Sequence, residues 1–438
     1  MNSFNEIGGQ PVASSRRLLT EVLRGELGFD GFVISDWCAV QQLRNHGVAE
    51  NDKQAAELSL NAGIDMDMVD ECYINYVAEL IEEGKISIET LDNAVRNVLR
   101  VKLRLGLFEH PFAPKYEIDK TEHSRHARKL AGESMVLLKN KNNVLPLKQN
   151  ERVTLIGPMV AIKETHLGTW TLDGKKEDVT SIEEAMKAVG GNRVKCYHEW
   201  LNDRQMIMPW NSDTYVLCLG ESRLMSGENN CLADVSVPEY QVELAKRTKL
   251  EGKKVVAVMC FARPVAMQEL EPYCDAILYA WHCGTEAGNA IADIIYGKVN
   301  PSGKTAMTFP RVTGQIPVYY NFLRAARPCN EYYGDGRSYR DIPAKPLYPF
   351  GYGLSYTSFK TSNLESDKAV LTLPQLKNGE TFKVSVNVKN TGELDGKETV
   401  QLYIKDNVSS IVRPLRELKG YKKIFIKAGE TAKIEFNV

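Results

Sequence analysis

Four short runs of β-branched and aliphatic residues, at 153–156, 214–219, 255–259 and 276–279, do most to limit what this chain can become. None of them alternates with polar residues, so each reads as a strand covered on both faces, the pattern of a parallel sheet held between helices. The stretches at 238–249 and 287–296 carry apolar residues at helical spacing between those strands. The middle of the chain is therefore an α/β unit.

The two flanks follow other rules. From Phe359 onward apolar residues alternate with polar ones, as in Phe382, Val384, Val386 and Val388 and again in Val400, Leu402 and Ile404, with Asn390-Thr391-Gly392 as a turn. That alternation describes strands with one face on a core and one in water, an all-β sandwich. Before residue 111 the elements alternate in kind. A helix capped by Ser14 or Ser15 runs through Leu18, Leu19, Val22 and Leu23 to Gly25, and a strand follows at 32–35. Next come a helix at 51–62, a strand at 64–68, a helix at 73–83 and a longer helix at 87–105 with Leu91, Val95, Val98 and Leu105 on one face. The Pro-containing stretch 111–120 is a linker.

The balance of 55 basic against 56 acidic residues, a net charge of −1, gives no reason to expect nucleic acid or an anionic membrane as partner. No apolar run reaches the roughly 20 residues that cross a bilayer. Nine scattered cysteines without a C-x-x-C pair indicate neither a disulfide framework nor a zinc site.

Chemistry enters at residues 28–37, where the run Phe32-Val33-Ile34 delivers Asp36 and Trp37 at its C-terminal end. In parallel α/β folds that rim hosts catalysis, so Asp36 is a candidate nucleophile or base, with a cap on the following helix as the alternative. Residues 28–37 resemble the nucleophile motif of glycoside hydrolase family 3, the β-glucosidases and their relatives. The resemblance extends through 1–11, 133–140, Leu145-Pro146-Leu147, 284–290, 300–304 and 348–356 in the family's order, and leans toward its bacterial periplasmic β-glucosidases.

The resemblance implies a multidomain α/β fold. Residues 1–110 would be the closing part of a (β/α)8 barrel truncated at its N-terminus, since a whole barrel takes about 250 residues. A linker at 111–128, a complete α/β sandwich at 129–325, a linker at 326–358 and an incomplete fibronectin type III-like sandwich at 359–438 would follow. It implies a retaining exo-β-glycosidase that releases terminal β-D-glucosyl residues from β-glucosides and oligosaccharides, needs no cofactor and works in the periplasm or outside the cell. A β-xyloside or another β-glycoside is the alternative substrate, and an inactive remnant that at most binds carbohydrate is the alternative role. No signal peptide precedes Met1, and an uncovered half-barrel would favour docking on a second copy as a homodimer.

Glycoside cleavage with retention needs a second carboxylate, one ionised to attack and one protonated to serve the leaving oxygen. The loop 220–228 leaves the strand 214–219, and the resemblance places the acid/base at Glu228, with Glu221 as the fallback. Trp37 would stack on a pyranose, the alternative being a core indole. Other patterns carry less. Residues 297–305 have the wrong glycine spacing for a phosphate loop. His123 and His126 lie on a solvated helix face, and Trp281-His282-Cys283 would alternate along an extended strand and so not form a Cys/His pair. Asp65, Asp67, Asp70 and Glu71 read as helix-capping, solvated acids rather than a calcium site.

Overall fold

The computed structural model describes residues 1–198, 212–324 and 339–438. The chain divides into two compact units, Met1–Ile118 and Asp119–Val438.

In the first unit β1 (Glu6–Ile7) and β2 (Gln10–Pro11) form a small antiparallel pair. The expected first helix is a π-helix, Arg17–Glu26, and Ser15 accepts the N–H of Leu18 at its start. β3 (Ile34–Trp37) then pairs in parallel with β4 (Met66–Met68), Ile34 opposite Met66 and Trp37 opposite Met68. Between them α1 (Asp52–Ala62) is capped by Asn51, whose side chain takes the Gln54 N–H at 2.9 Å. α2 (Cys72–Glu82) and α3 (Ile88–Arg104), the latter capped by Ser87, complete the unit. Val33, Val40, Leu43, Ile64, Leu80 and Ile86 form its core. This parallel pair does not close into a barrel among the described residues.

The acidic cluster does not lie wholly in solvent, contrary to the expectation from sequence. Asp65 is not solvated: its side chain is 5% exposed and binds Arg24 Nη2 at 2.5 Å, the Val33 N–H at 2.6 Å and Asn97 Nδ2 at 2.8 Å. It ties the π-helix, the approach to β3 and α3 to one carboxylate, and burial pushes that carboxyl up despite the three donors.

The second unit opens with α4 (Lys120–Ser134), capped by Asp119, and continues through β5 (Val136–Asn140), β6 (Val153–Ile156), α5 (Ile182–Gly190), β7 (Val194–Tyr197) and β8 (Thr214–Gly220). α6 (Glu239–Leu250), β9 (Lys254–Cys260), β10 (Ala276–Tyr279) and α7 (Ala287–Ile295) follow. The strand order is β5-β10-β9-β8-β6-β7, parallel except for β5 against β10. Every residue of β8 is buried, so both faces of the sheet carry a core, as the unbroken apolar runs demand. The sequence reading lacks β5, β7 and α5; residues 199–211, between β7 and β8, lie outside the described residues.

Of the expected linker 326–358, residues 326–338 likewise lie outside the described residues. Leu354 bridges to Leu137 of β5, and the Tyr348 ring meets Phe309 edge-on at 6.4 Å, so this part of the chain rests on the α/β core. The sandwich is built from β11 (Phe359–Ser366), α8 (Leu373–Lys377), β12 (Lys383–Asn390), β13 (Gly396–Ile404), β14 (Glu417–Ile426) and β15 (Thr431–Asn437). Sheets β11-β12-β15 and β13-β14 enclose Val388, Val400, Ile426, Ile434 and Phe436. Lys397 and Lys423 reach from them to Glu133 of α4, holding its carboxyl below the usual range although burial opposes this.

Candidate active site

β3 carries the first group. Ser35 Oγ accepts the Met68 N–H at 2.7 Å and donates to the Asp36 carbonyl at 2.9 Å, which fastens the strand end to β4. Side chains alternate across a strand, so the half-buried Asp36 points away from Ser35. Its Oδ1 accepts the N–H of Trp37 at 2.7 Å. The helix-cap alternative fails. The next helical turn, Gln41–Leu43, has no side-chain cap, and it is Asp70, at 3.0 Å, that takes the N–H of Val40 just ahead of it. Trp37 is 62% exposed and lies outside the unit's core among the described residues. A carboxylate with an open oxygen beside a free indole face can attack an electrophilic carbon and stack on an apolar ring face.

The second group lies in the other unit, on the loop leaving β8. Glu221, the first residue past the strand, is buried: its Oε1 accepts from the Ala262 N–H at 3.1 Å and from Arg263 Nε at 3.3 Å. Glu228 is exposed and makes no hydrogen bond among the described residues. Between them Ser222 caps the single turn Arg223–Met225. Gly227 then adopts φ +97°, where a Cβ would come within 2.9 Å of the Thr169 side chain. The loop is thus anchored at its root and open at Glu228.

The same sheet edge holds groups that sequence reasoning missed. His166, past the end of β6, is 1% exposed, and neither ring nitrogen has a partner among the described residues. Burial, with a smaller contribution from His282, lowers its pKa to about 4. Burial also lowers the pKa of His282, past the end of β10. The extended strand expected for Trp281-His282-Cys283 is absent: β10 stops at Tyr279 and Trp281 is left-handed at φ 56°. Burial pushes the Cys283 thiol up to about 11, so it is not a nucleophile at neutral pH. His123 and His126 are exposed, and no disulfide joins the described cysteines. Asp67, Asp70 and Cys72 lie close enough to share a cation, but Asp67 already accepts the Tyr73 N–H at 3.0 Å. The only available signal for the missed groups was position, since each follows the C-terminal end of a parallel strand.

A parallel sheet with polar loops at one edge and a β-sandwich in the second unit, with a strand-end carboxylate next to an indole in the first, describe a multidomain α/β protein. The signatures of the glycosyl hydrolase family 3 N terminal domain (residues 1–101), of the glycosyl hydrolase family 3 C-terminal domain (135–356) and of a fibronectin type III-like domain (398–438) all match, and the chain belongs to glycosyl hydrolase family 3. It is 36% identical to a periplasmic beta-glucosidase of Salmonella typhimurium, aligning over 100% of this chain and 62% of that protein. A beta-xylosidase of Formosa agariphila is 35% identical over 100% of the chain and 63% of its own length. The crystal structure of beta-glucosidase from Listeria innocua in complex with glucose superposes with a TM-score of 0.92 at 41% identity, over 100% of this chain and 61% of that one. The chain spans about three fifths of the length of these relatives. None of its described helices is long and apolar enough to cross a membrane.

Proposed function

We propose that this protein is a retaining exo-β-glycosidase that releases terminal β-D-glucosyl residues, with Asp36 as nucleophile, Glu228 as acid/base and Trp37 as the sugar platform. The observation that carries the reading is the strand-end pair itself: Asp36 and Trp37 are the last two residues of β3, with one Asp36 oxygen tied to a backbone N–H and the other without a partner among the described residues, beside an exposed indole, in a segment matching the family's N-terminal signature. We place β3, β4 and their helices in a (β/α)8 barrel, whose C-terminal rim is where such a carboxylate works. The first unit supports this by its strand-helix alternation and by apolar side chains such as Leu103, 58% exposed, which a surrounding barrel would cover.

In this mechanism Asp36 attacks the anomeric carbon while Glu228 gives its proton to the departing oxygen. The resulting glycosyl ester on Asp36 is then cleaved by a water that Glu228, now a carboxylate, deprotonates. Two carboxyl groups roughly 5 to 5.5 Å apart serve both steps and preserve the anomeric configuration. A β-glucoside is preferred as substrate because two of the relatives named above are beta-glucosidases; the Formosa agariphila beta-xylosidase makes a β-xyloside the second reading. Soluble oligosaccharides outside the cytoplasm are the proposed setting, as the Salmonella typhimurium relative is named periplasmic.

Treating the full-length protein with a 2-deoxy-2-fluoro-β-glucoside that carries a good leaving group tests the assignment. The expected result is one covalent label, found on Asp36 by peptide mapping. A label on any other carboxylate overturns it.

A further inference from the structure

We propose that Thr169, Glu221 and Arg263 are positioning residues that set where the Glu228 carboxyl meets the leaving oxygen, a role that rests on the reading of Glu228 as acid/base. The buried Glu221 pairs with the half-buried Arg263, their side chains 3% and 21% exposed. Arg263 does more than neutralise Glu221, because its Nη2 donates to the Met225 carbonyl in the middle of the loop. The Arg263 backbone is itself held, its carbonyl accepting the hydroxyl of the fully buried Tyr279. Thr169 Oγ1 lies 2.8 Å from the Arg223 carbonyl and 2.6 Å from the Ser226 carbonyl and shares its one proton between them. Asn230 closes the far end, donating its side-chain amide to the Ser226 carbonyl and its backbone N–H to the Gly227 carbonyl, both at 3.1 Å.

The carbonyls of residues 223, 225, 226 and 227 are therefore all fixed from outside the loop or across its end, and Glu228 is the next residue. Gly227 at φ +97° packs directly on Thr169, so the path into Glu228 depends on that side chain's shape as well as its hydroxyl. This arrangement explains why Glu221 is buried against Arg263 at the root of an exposed loop. A general acid works only within hydrogen-bond reach of the oxygen it protonates, and a misplacement of about 1 Å can cost roughly 100-fold.

A positioning role and a merely structural one differ in how the damage depends on the leaving group. Protonation matters when the leaving group is poor and little when it is a nitrophenolate. Thr169→Val keeps the shape and removes the shared proton; Thr169→Ser restores it; Glu221→Gln keeps an acceptor for the Ala262 N–H and removes the charge facing Arg263. Each is compared with wild type and Glu228→Ala in the full-length protein, using methyl β-glucoside and 2,4-dinitrophenyl β-glucoside, with circular dichroism as the check on folding.

The expected result is a loss of kcat/KM of about 10- to 100-fold on the methyl glucoside and less than about 3-fold on the dinitrophenyl glucoside for Thr169→Val and Glu221→Gln, with Thr169→Ser near wild type. If Glu228→Ala shows the leaving-group selectivity while Thr169→Val and Thr169→Ser lose both substrates alike or lose nothing, the positioning role is wrong and the acid/base assignment stands. If Glu228→Ala itself shows no selectivity, the assignment falls and the positioning role falls with it. Thr169→Val keeps the outcome decisive even if Glu221→Gln does not fold.

Discussion

Stability of the second unit should fall steeply between pH 7 and pH 5, and His166 should account for much of the fall. Its imidazole is 1% exposed, has no partner for either nitrogen among the described residues, and titrates at about 4 instead of its ordinary 6.5 because burial disfavours the charged ring. The folded state holds the ring neutral while the unfolded chain takes up a proton below about pH 6.5, so the stabilisation is complete above that value and is lost as the pH falls toward about 4. One pH unit across that window is worth about 1.4 kcal/mol, which sets a ceiling of about 3 kcal/mol and a loss of about 2 kcal/mol at pH 5. Urea unfolding at pH 7.5 and pH 5 measures it. His166→Leu, of similar bulk and without a titrating group, should lose about 2 kcal/mol less than wild type between the two conditions. An unchanged pH slope in that variant, or a His166 ring resonance that titrates near its ordinary value, would falsify the argument.

Other outcomes follow from single contacts. Glu228→Ala should be rescued by azide on activated aryl glucosides, giving the β-glucosyl azide, whereas Glu221→Ala should not; rescue at Glu221 would reverse the two roles. Asp65→Ala takes the carboxylate from Arg24 Nη2, the Val33 N–H and the Asn97 amide around a buried site, leaving Arg24 only its bond to the Gly31 carbonyl, and should cost about 3 to 5 kcal/mol, so a change below about 1 kcal/mol in chemical denaturation would show that the three donors find other partners. Gly288→Ala would set a Cβ 2.2 Å from the Ser181 carbonyl oxygen and push α7 away from the cap of α5; a loss of at least about 1 to 3 kcal/mol is expected, and an unshifted unfolding midpoint would refute the packing argument.

What the sequence disclosed and what it hid separate along physical lines. Buried parallel strands and helices with side-chain caps were legible because their signals are local: β6, β8, β9 and β10 are unbroken apolar runs, and Asn51 and Ser87 stand where the caps are. β5 and β7 escaped notice because each is a short edge strand. Val136–Asn140 directly follows α4 and ends in polar residues, and Val194–Tyr197 alternates too briefly to stand out. The acidic cluster misled because burial is not written in composition. Asp65 becomes an interior carboxylate only when Arg24, 41 positions earlier, and Asn97, 32 positions later, converge on it. Likewise nothing local in residues 220–228 reveals that Glu221 is buried against Arg263, 42 residues away, while Glu228 is exposed.

The backbone adds an argument that side-chain chemistry alone does not. Outside glycine, left-handed residues are uncommon and costly, about 1 to 3 kcal/mol each, and they persist where surrounding structure overrides the preference. Here Cys38 stands two residues past Asp36, Val69 follows β4 beside it, and Asn229 follows Glu228, with φ of 54°, 73° and 61°. Val69 is the sharpest case, since a β-branched residue pays most for this conformation and, at 51% exposed, gains little burial in return. What holds it is the chain on either side: the Met68 carbonyl accepts the Cys38 N–H at 3.1 Å, and Asp70 accepts the Val40 N–H at 3.0 Å. Those two bonds clamp the turn after Asp36 to the turn after β4, and Val69 is the residue between the clamps. The strain thus fixes the end of β3, which is the rigidity that the proposed role of Asp36 as nucleophile requires.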